Sequence, residues 1–227
     1  MPGPLPLASR MASARRRLGL AQDRFIVLHA AGLAPCAGAD TVILGLAMLR
    51  ARWGINADLI VAHADLQRTP AWQPQLGRLR TVAADLGIAA QVRFSVPKDH
   101  GQMRDYHGAA NVLACTPWYA RGRGTLAAAM ACARPVIGTR VRHIEDLIVD
   151  GLTGYLIPPR DSEALAGRLE TLQRQPAQAE AMGAAGRQRL RAHSGGRPHP
   201  GCGCRQARLL VRDDDHAAAW LSSGFFE

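Results

Sequence analysis

The chain has 227 residues, 48% apolar, 5% aromatic and 20% charged, and its 28 Lys and Arg against 18 Asp and Glu leave a formal charge of +10. That is globular composition, too apolar for a disordered chain, and no apolar run reaches the ~18 residues that a membrane-spanning helix needs. Lys98 is the only lysine, so part of the basic excess reads as coding bias toward arginine and not as the mark of a partner.

Residues 1–22 hold Arg15-Arg16-Arg17 and no acid. They lack the apolar core and small-residue cleavage site of a secretory signal, and the expectation is a flexible basic leader or linker remnant. Regular patterning then begins. Short runs rich in Val, Ile and Leu at 25–30, 58–62, 92–96, 112–115, 136–139 and 155–157 read as strands. Amphipathic stretches at 41–53, 74–86, 102–109 and 126–133 lie between them; in the first, Val42, Ile43, Leu46 and Leu49 share one helical face. Strands alternating with helices imply an α/β fold, a single Rossmann-like domain with a doubly wound parallel sheet. The strand runs are apolar on both faces, as a sheet covered on both sides requires.

Glu145 and Asp146 follow His143 where a helix is expected to start, a place that favours acids. Asp161 is positioned to cap a helix over 162–173, and Pro176 to open another over 177–192. These two close the body at 23–193. The remainder, 194–227, begins SGGRPHPGCGCRQ, has no period, and is expected to be irregular and disordered. His199, Cys202 and Cys204 there do not make the paired ligands that a zinc site needs, so no metal is expected. The odd count of five cysteines, without a CxxC pair, suits a reducing compartment. A cytoplasmic protein is expected, with peripheral attachment to a membrane as the alternative.

In an open parallel sheet, ligands sit beyond the C-terminal ends of the strands, which directs attention to loops 31–40, 63–72, 96–101, 116–125 and 139–143. Residues 117–137, PWYARGRGTLAAAMACARPVI, and 141–165, VRHIEDLIVDGLTGYLIPPRDSEAL, fall in this region. With the M-G-x-x-G-R segment at Met182–Arg187 and with Pro35, Gly38, Asp40 and Thr41, they resemble the C-terminal half of group 1 (family 4) retaining glycosyltransferases, over residues 18–193. The resemblance implies the nucleotide-sugar-binding half of a GT-B fold, a donor sugar transferred with retention, and no metal or other cofactor. It also implies a second Rossmann-like domain for the acceptor. That half is absent from the sequence, so the expectation is a truncated chain or one acting with a separate acceptor-binding domain.

A departing diphosphate needs Arg or Lys side chains and helix N-terminal amides to receive its charge. The resemblance places an arginine at Gly32 and a lysine at Ala37. It places at Ala120 a glutamate that contacts the donor sugar, and at Ala128 one that contacts the ribose. Four ligand side chains are therefore missing from a scaffold whose other motifs survive, and the chain is expected to be inactive by itself. No catalytic residue is assigned.

Arginines crowd the same region, at 121, 123, 134, 140 and 142. Arg121, Arg123, Gly124, Thr125 and Arg142 form the candidate diphosphate region, since Arg121 and Arg123 precede a helix N-terminus; solvated arginines are the competing reading and the favoured one. Nucleic acid is not an expected partner, because no aromatic residues interleave the arginines. His143 reads as a loop residue, His29 as a satisfied core histidine, and Cys115 and Cys132 as buried inert thiols. Trp118 and Tyr119 read as pocket-wall or packing residues. Two functions remain in view: a donor-binding glycosyltransferase domain, and a non-catalytic binding or interaction module, including the product of a degenerated gene.

Overall fold

The computed structural model describes residues 7–63, 72–119 and 122–194. Six strands, β1 (Phe25–His29), β2 (Ala57–Ala62), β3 (Val92–Ser95), β4 (Val112–Cys115), β5 (Val136–Thr139) and β6 (Tyr155–Ile157), form one sheet in the order β3-β2-β1-β4-β5-β6. Every pairing is parallel. The order reverses between β1 and β4, which is where an open sheet of this kind offers its crevice. Each run read as a strand is one.

Side chains alternate across the sheet as the pleat requires. Val27, Val112, Ala114, Ile137, Tyr155 and Ile157 enter one core. Ile26, Leu28, Leu113, Cys115, Val136 and Leu156 enter the other. The first core is covered by α2 (Ala39–Trp53), α3 (Gln73–Asp85) and α6 (Ser162–Arg174). The second is covered by α4 (His100–Ala109) and α5 (Arg123–Ala131), with α1 (Leu7–Leu18) laid against α4. The last helix of the described residues, α7 (Pro176–Ser194), places Met182 in the first core and Leu190 in the second.

Small residues set the helix spacing. A Cβ on Gly45 of α2 would lie 2.9 Å from Leu165 Cδ2 of α6, and one on Gly183 of α7 would lie 2.2 Å from the Ala133 carbonyl oxygen. Gly54 stops α2 in the left-handed conformation, its N–H bonding to Arg50 O, as helix-terminating glycines do. Asp161 caps α6 through the Ala164 N–H at 2.8 Å, and Asp99 caps α4 through Gln102.

The structure corrects two expectations. The basic leader is not a free segment over residues 7–18: it is α1, with Ala14 and Leu18 buried. Arg15, the first of the three consecutive arginines, is only 2% exposed. It donates from Nε to Ala109 O at 3.0 Å, from Nη1 to Gln22 O at 2.6 Å and from Nη2 to Asn111 Oδ1 at 2.7 Å. Arg17 reaches Asp105 on α4 at 2.6 Å. Second, no helix opens at Glu145 and Asp146. Residues 142–147 form consecutive turns after His143 at φ 75, with Leu147 N–H and Ile148 N–H both bonding to Ile144 O in place of a continuous four-residue ladder. The expected irregular tail, with His199, Cys202 and Cys204, lies outside the described residues from 195 onward.

Candidate functional site

The loops after β1, β4 and β5 are stitched into one rim by three threonines, of which Thr116 and Thr139 are fully buried and Thr125 is half-buried. Thr116 Oγ1 donates to Gly38 O at 2.9 Å, Thr139 Oγ1 to Pro117 O at 2.6 Å, and Thr125 Oγ1 to Ala30 O at 3.1 Å. The Trp118 N–H closes the seam on Cys36 O at 2.9 Å. Gly38 has φ 81, and a Cβ there would lie 2.0 Å from Thr116 O. Only glycine permits that approach, which gives the glycine of the β1-loop motif a physical reason. Two helix N-termini open on the rim. Both α2 and α5 begin after a left-handed glycine, Gly38 and Gly122, without a side-chain cap. The first-turn amides of α5 at Arg123, Gly124 and Thr125 are thus oriented for an anion.

The positions that should hold the ligand side chains are closed or bare. Ala37 is 0% exposed, so the place assigned to a lysine is sealed. Gly32 is buried at φ 103, and a Cβ there would meet His63 Nε2 at 3.3 Å. Beneath the same peptide, His29 contacts Gly32 O through Nε2 at 3.2 Å and Ala114 O through Nδ1 at 3.0 Å. Burial pushes the His29 pKa below its usual value, against the two carbonyl contacts that raise it. Neutral imidazole is a donor at one nitrogen only. Ala128 is half-buried on α5 and offers a methyl group. Ala120 lies outside the described residues.

The arginines do not assemble over the rim. Arg123 turns toward the following loop, where Nη1 donates to His143 O at 3.3 Å and lies 3.8 Å from Asp146 Oδ2. Arg140 pairs with Asp150 at 2.7 Å, and Arg142 is exposed. Arg134 lies at the other end of the sheet, ahead of β5, and is buried. Arg121 lies outside the described residues. His143 stands exposed, 4.0 Å from Asp146, which suits a loop residue.

Two contacts escaped the sequence reading. His63, at the end of β2, stands over Gly32; nothing in its local sequence points across to the β1 loop. Arg160, in the Pro-Pro-x-Asp turn after β6, stacks on Trp118 with its guanidinium carbon 3.6 Å from the ring centre. Its φ of 64 helps to direct it there. Trp118 is half-buried and Tyr119 is 55% exposed, so the first walls the rim and the second projects from it. Burial pushes the Cys115 thiol up to about 12 and raises Cys132 as well, which leaves both protonated and unreactive at neutral pH. No cluster of three metal-ligating side chains exists among the described residues, and none of their helices is long and apolar enough to cross a membrane.

The family model described as "Glycosyl transferases group 1" matches residues 11–189. The chain is 34% identical over 180 residues to the D-inositol 3-phosphate glycosyltransferase of Streptomyces avermitilis, covering 78% of this chain and 38% of that protein. It therefore spans about two fifths of that relative's length. The sucrose-phosphate synthase of Thermosynechococcus elongatus superposes with a TM-score of 0.71 at 27% identity, over 84% of this chain and 47% of that one. The Anabaena protein HepE, in a complex with UDP and glucose, superposes with a TM-score of 0.67 at 20% identity, over 90% of this chain and 50% of that one.

Proposed function

This chain belongs to the group 1 glycosyltransferases, and from that premise we propose that it is a nucleotide-sugar-binding domain that has lost its hold on the donor diphosphate and does not transfer sugar by itself. The observation that carries this reading is the state of the β1 loop. Ala37 is fully buried, and Gly32 lies under His63 in a backbone conformation that disfavours any side chain.

In a retaining transfer the bond from the sugar to the diphosphate breaks with charge accumulating on the leaving phosphate. Groups already fixed around that oxygen lower the barrier. Here the α5 amides remain, and they suit the start of such a site. The charged side chains that should complete it do not. Each charged hydrogen bond contributes roughly 1.5–3 kcal/mol, and although such terms do not simply add, loss of several weakens binding by orders of magnitude. UDP and glucose in the HepE complex support a nucleotide-sugar as the ligand class, and a second domain facing this rim would supply the acceptor.

Calorimetric titration of the chain with UDP-glucose and GDP-mannose tests the proposal. No binding is expected at sub-millimolar concentration. A micromolar dissociation constant overturns it, and loss of that affinity in Arg121→Ala with Arg123→Ala would then assign it to the arginines. Absence of donor binding favours a non-catalytic binding module. The observation on that side is a groove of about 820 Å³ lined by Leu44, Met48 and Leu86, each of which is exposed.

A further inference from the structure

At the opposite end of the sheet, β5 is entered through Ala133, Arg134 and Pro135. Ala133 takes φ 52 after the end of α5, with Gly183 of α7 packed on its carbonyl. This turn delivers Arg134 into the interior, where it is 4% exposed. Its Nε is buried without a hydrogen-bond partner. A guanidinium carries five donors, and a buried charge that is neither paired nor hydrogen-bonded is strongly unfavourable.

The surroundings neutralise it only in part, and the Arg15 charge beside it is opposed by Asp23 and Asp58. Arg15, also buried, adds a second positive charge to which Arg134 responds. All of the side-chain bonds of Arg15 go to neutral acceptors, the carbonyls of Ala109, Ala21 and Gln22 and the Asn111 side chain. Glu180 supplies an opposing charge, but its side chain is exposed. Nearby, the Cys132 thiol feels Arg104, Arg187 and Arg10 in addition to Arg134, so several guanidiniums gather at this end of the molecule.

A cavity of about 120 Å³ opens beside Arg134, with Asn111, Gln173 and Glu180 among its polar walls and Met11, Phe25 and Leu172 among its apolar ones. Asn111 Oδ1 already accepts from Arg15 and from the Ile26 N–H at 2.7 Å. Its amide nitrogen therefore remains as a donor. A nucleotide-sized ligand needs about 300 Å³ or more, whereas one tetrahedral oxyanion can be held in this space.

We propose that this cavity is a small-oxyanion site, in which Arg134 and the side-chain amides of Asn111 and Gln173 bind phosphate or the terminal phosphate of a monoester. The site is independent of the donor rim, which lies at the other ends of the strands.

The test is thermal unfolding of the full chain in chloride, phosphate and glycerol phosphate at matched ionic strength. Phosphate is expected to raise the midpoint of the wild type by a few degrees above chloride. Arg134→Met should lose that shift, and Arg142→Met, at the donor rim, should keep it. In chloride, Arg134→Met should be no less stable than the wild type, because it removes an uncompensated buried charge. Arg134→Lys keeps the charge without the planar fork, and its smaller shift reads the same contact should the methionine variant not fold. A shift with glycerol phosphate as well assigns the site to ester ends, and a shift with phosphate alone assigns it to the free ion; either supports the proposal. Equal midpoints in phosphate and chloride, meaning that water alone fills the cavity, overturn it. So does a full shift that survives in the Arg134 variants.

Discussion

His107 lies in α4 at 4% exposure, with Nδ1 sealed from solvent and without a hydrogen-bond partner. Burial pushes its pKa down to about 4, against about 6.5 for an unfolded chain. Between those values the unfolded protein binds a proton that the folded protein refuses, so stability is full above pH 6.5 and falls as the pH drops toward 4. The total loss from this residue is about 3 kcal/mol, and His29 acts in the same direction. Urea titrations across that window should show a shallower pH dependence for His107→Leu than for the wild type; equal slopes would count against the assignment. The residue scale is also where the sequence was most and least readable. Gly38 was visible as a motif glycine, because its left-handed turn depends on one backbone contact with Thr116. The occlusion of Gly32 by His63 was not, since it arises only when the ends of β1 and β2 are brought side by side.

Helix α1 shows why a charge run can mislead. By sequence its arginines suggest a flexible leader, but the three consecutive ones point in different directions. Arg15 enters the protein, Arg16 is exposed, and Arg17 pairs with Asp105. The acceptors that make Arg15 a core residue, Ala109 O and Asn111 Oδ1, lie on a distant stretch of chain, beyond the reach of any local pattern. The strands were legible for the opposite reason: runs apolar on both faces carry their environment in their own composition. Boundaries set by backbone geometry fell between these cases, as in α5, which starts at Arg123 behind the left-handed Gly122 and ahead of the first apolar position, Leu126. Arg15→Met is expected to cost about 2–4 kcal/mol, because it leaves buried carbonyls without donors. Arg16→Met should stay within about 0.5 kcal/mol. Equilibrium denaturation of the two variants in parallel measures the difference, and equal losses would mean that α1 does not dock through Arg15.

Across the whole molecule, burial falls toward the β3 edge of the sheet, while β5 and the opposite edge strand β6 stay buried throughout. All four residues of β4 are buried, as are all but Phe25 of β1, whereas β3 at the edge has only Ser95 buried. Hydrogen exchange should therefore be slowest in β1 and β4, opening only with global unfolding, and much faster in β3. Uniform protection across the sheet would contradict this order. The path of α7 gives the fold a different kind of asymmetry, one of time. Met182 completes the layer over one face and Leu190 the layer over the other, and both belong to the last helix among the described residues. During synthesis, neither layer is complete while that helix is still inside the ribosome. A nascent chain halted before Pro176 would carry α2, α3 and α6 for one face and α1, α4 and α5 for the other, but would lack Met182 in the first layer and Leu190 in the second. Completion of both layers is thus tied to the emergence of this one helix, whatever the fate of the sugar site at the far end.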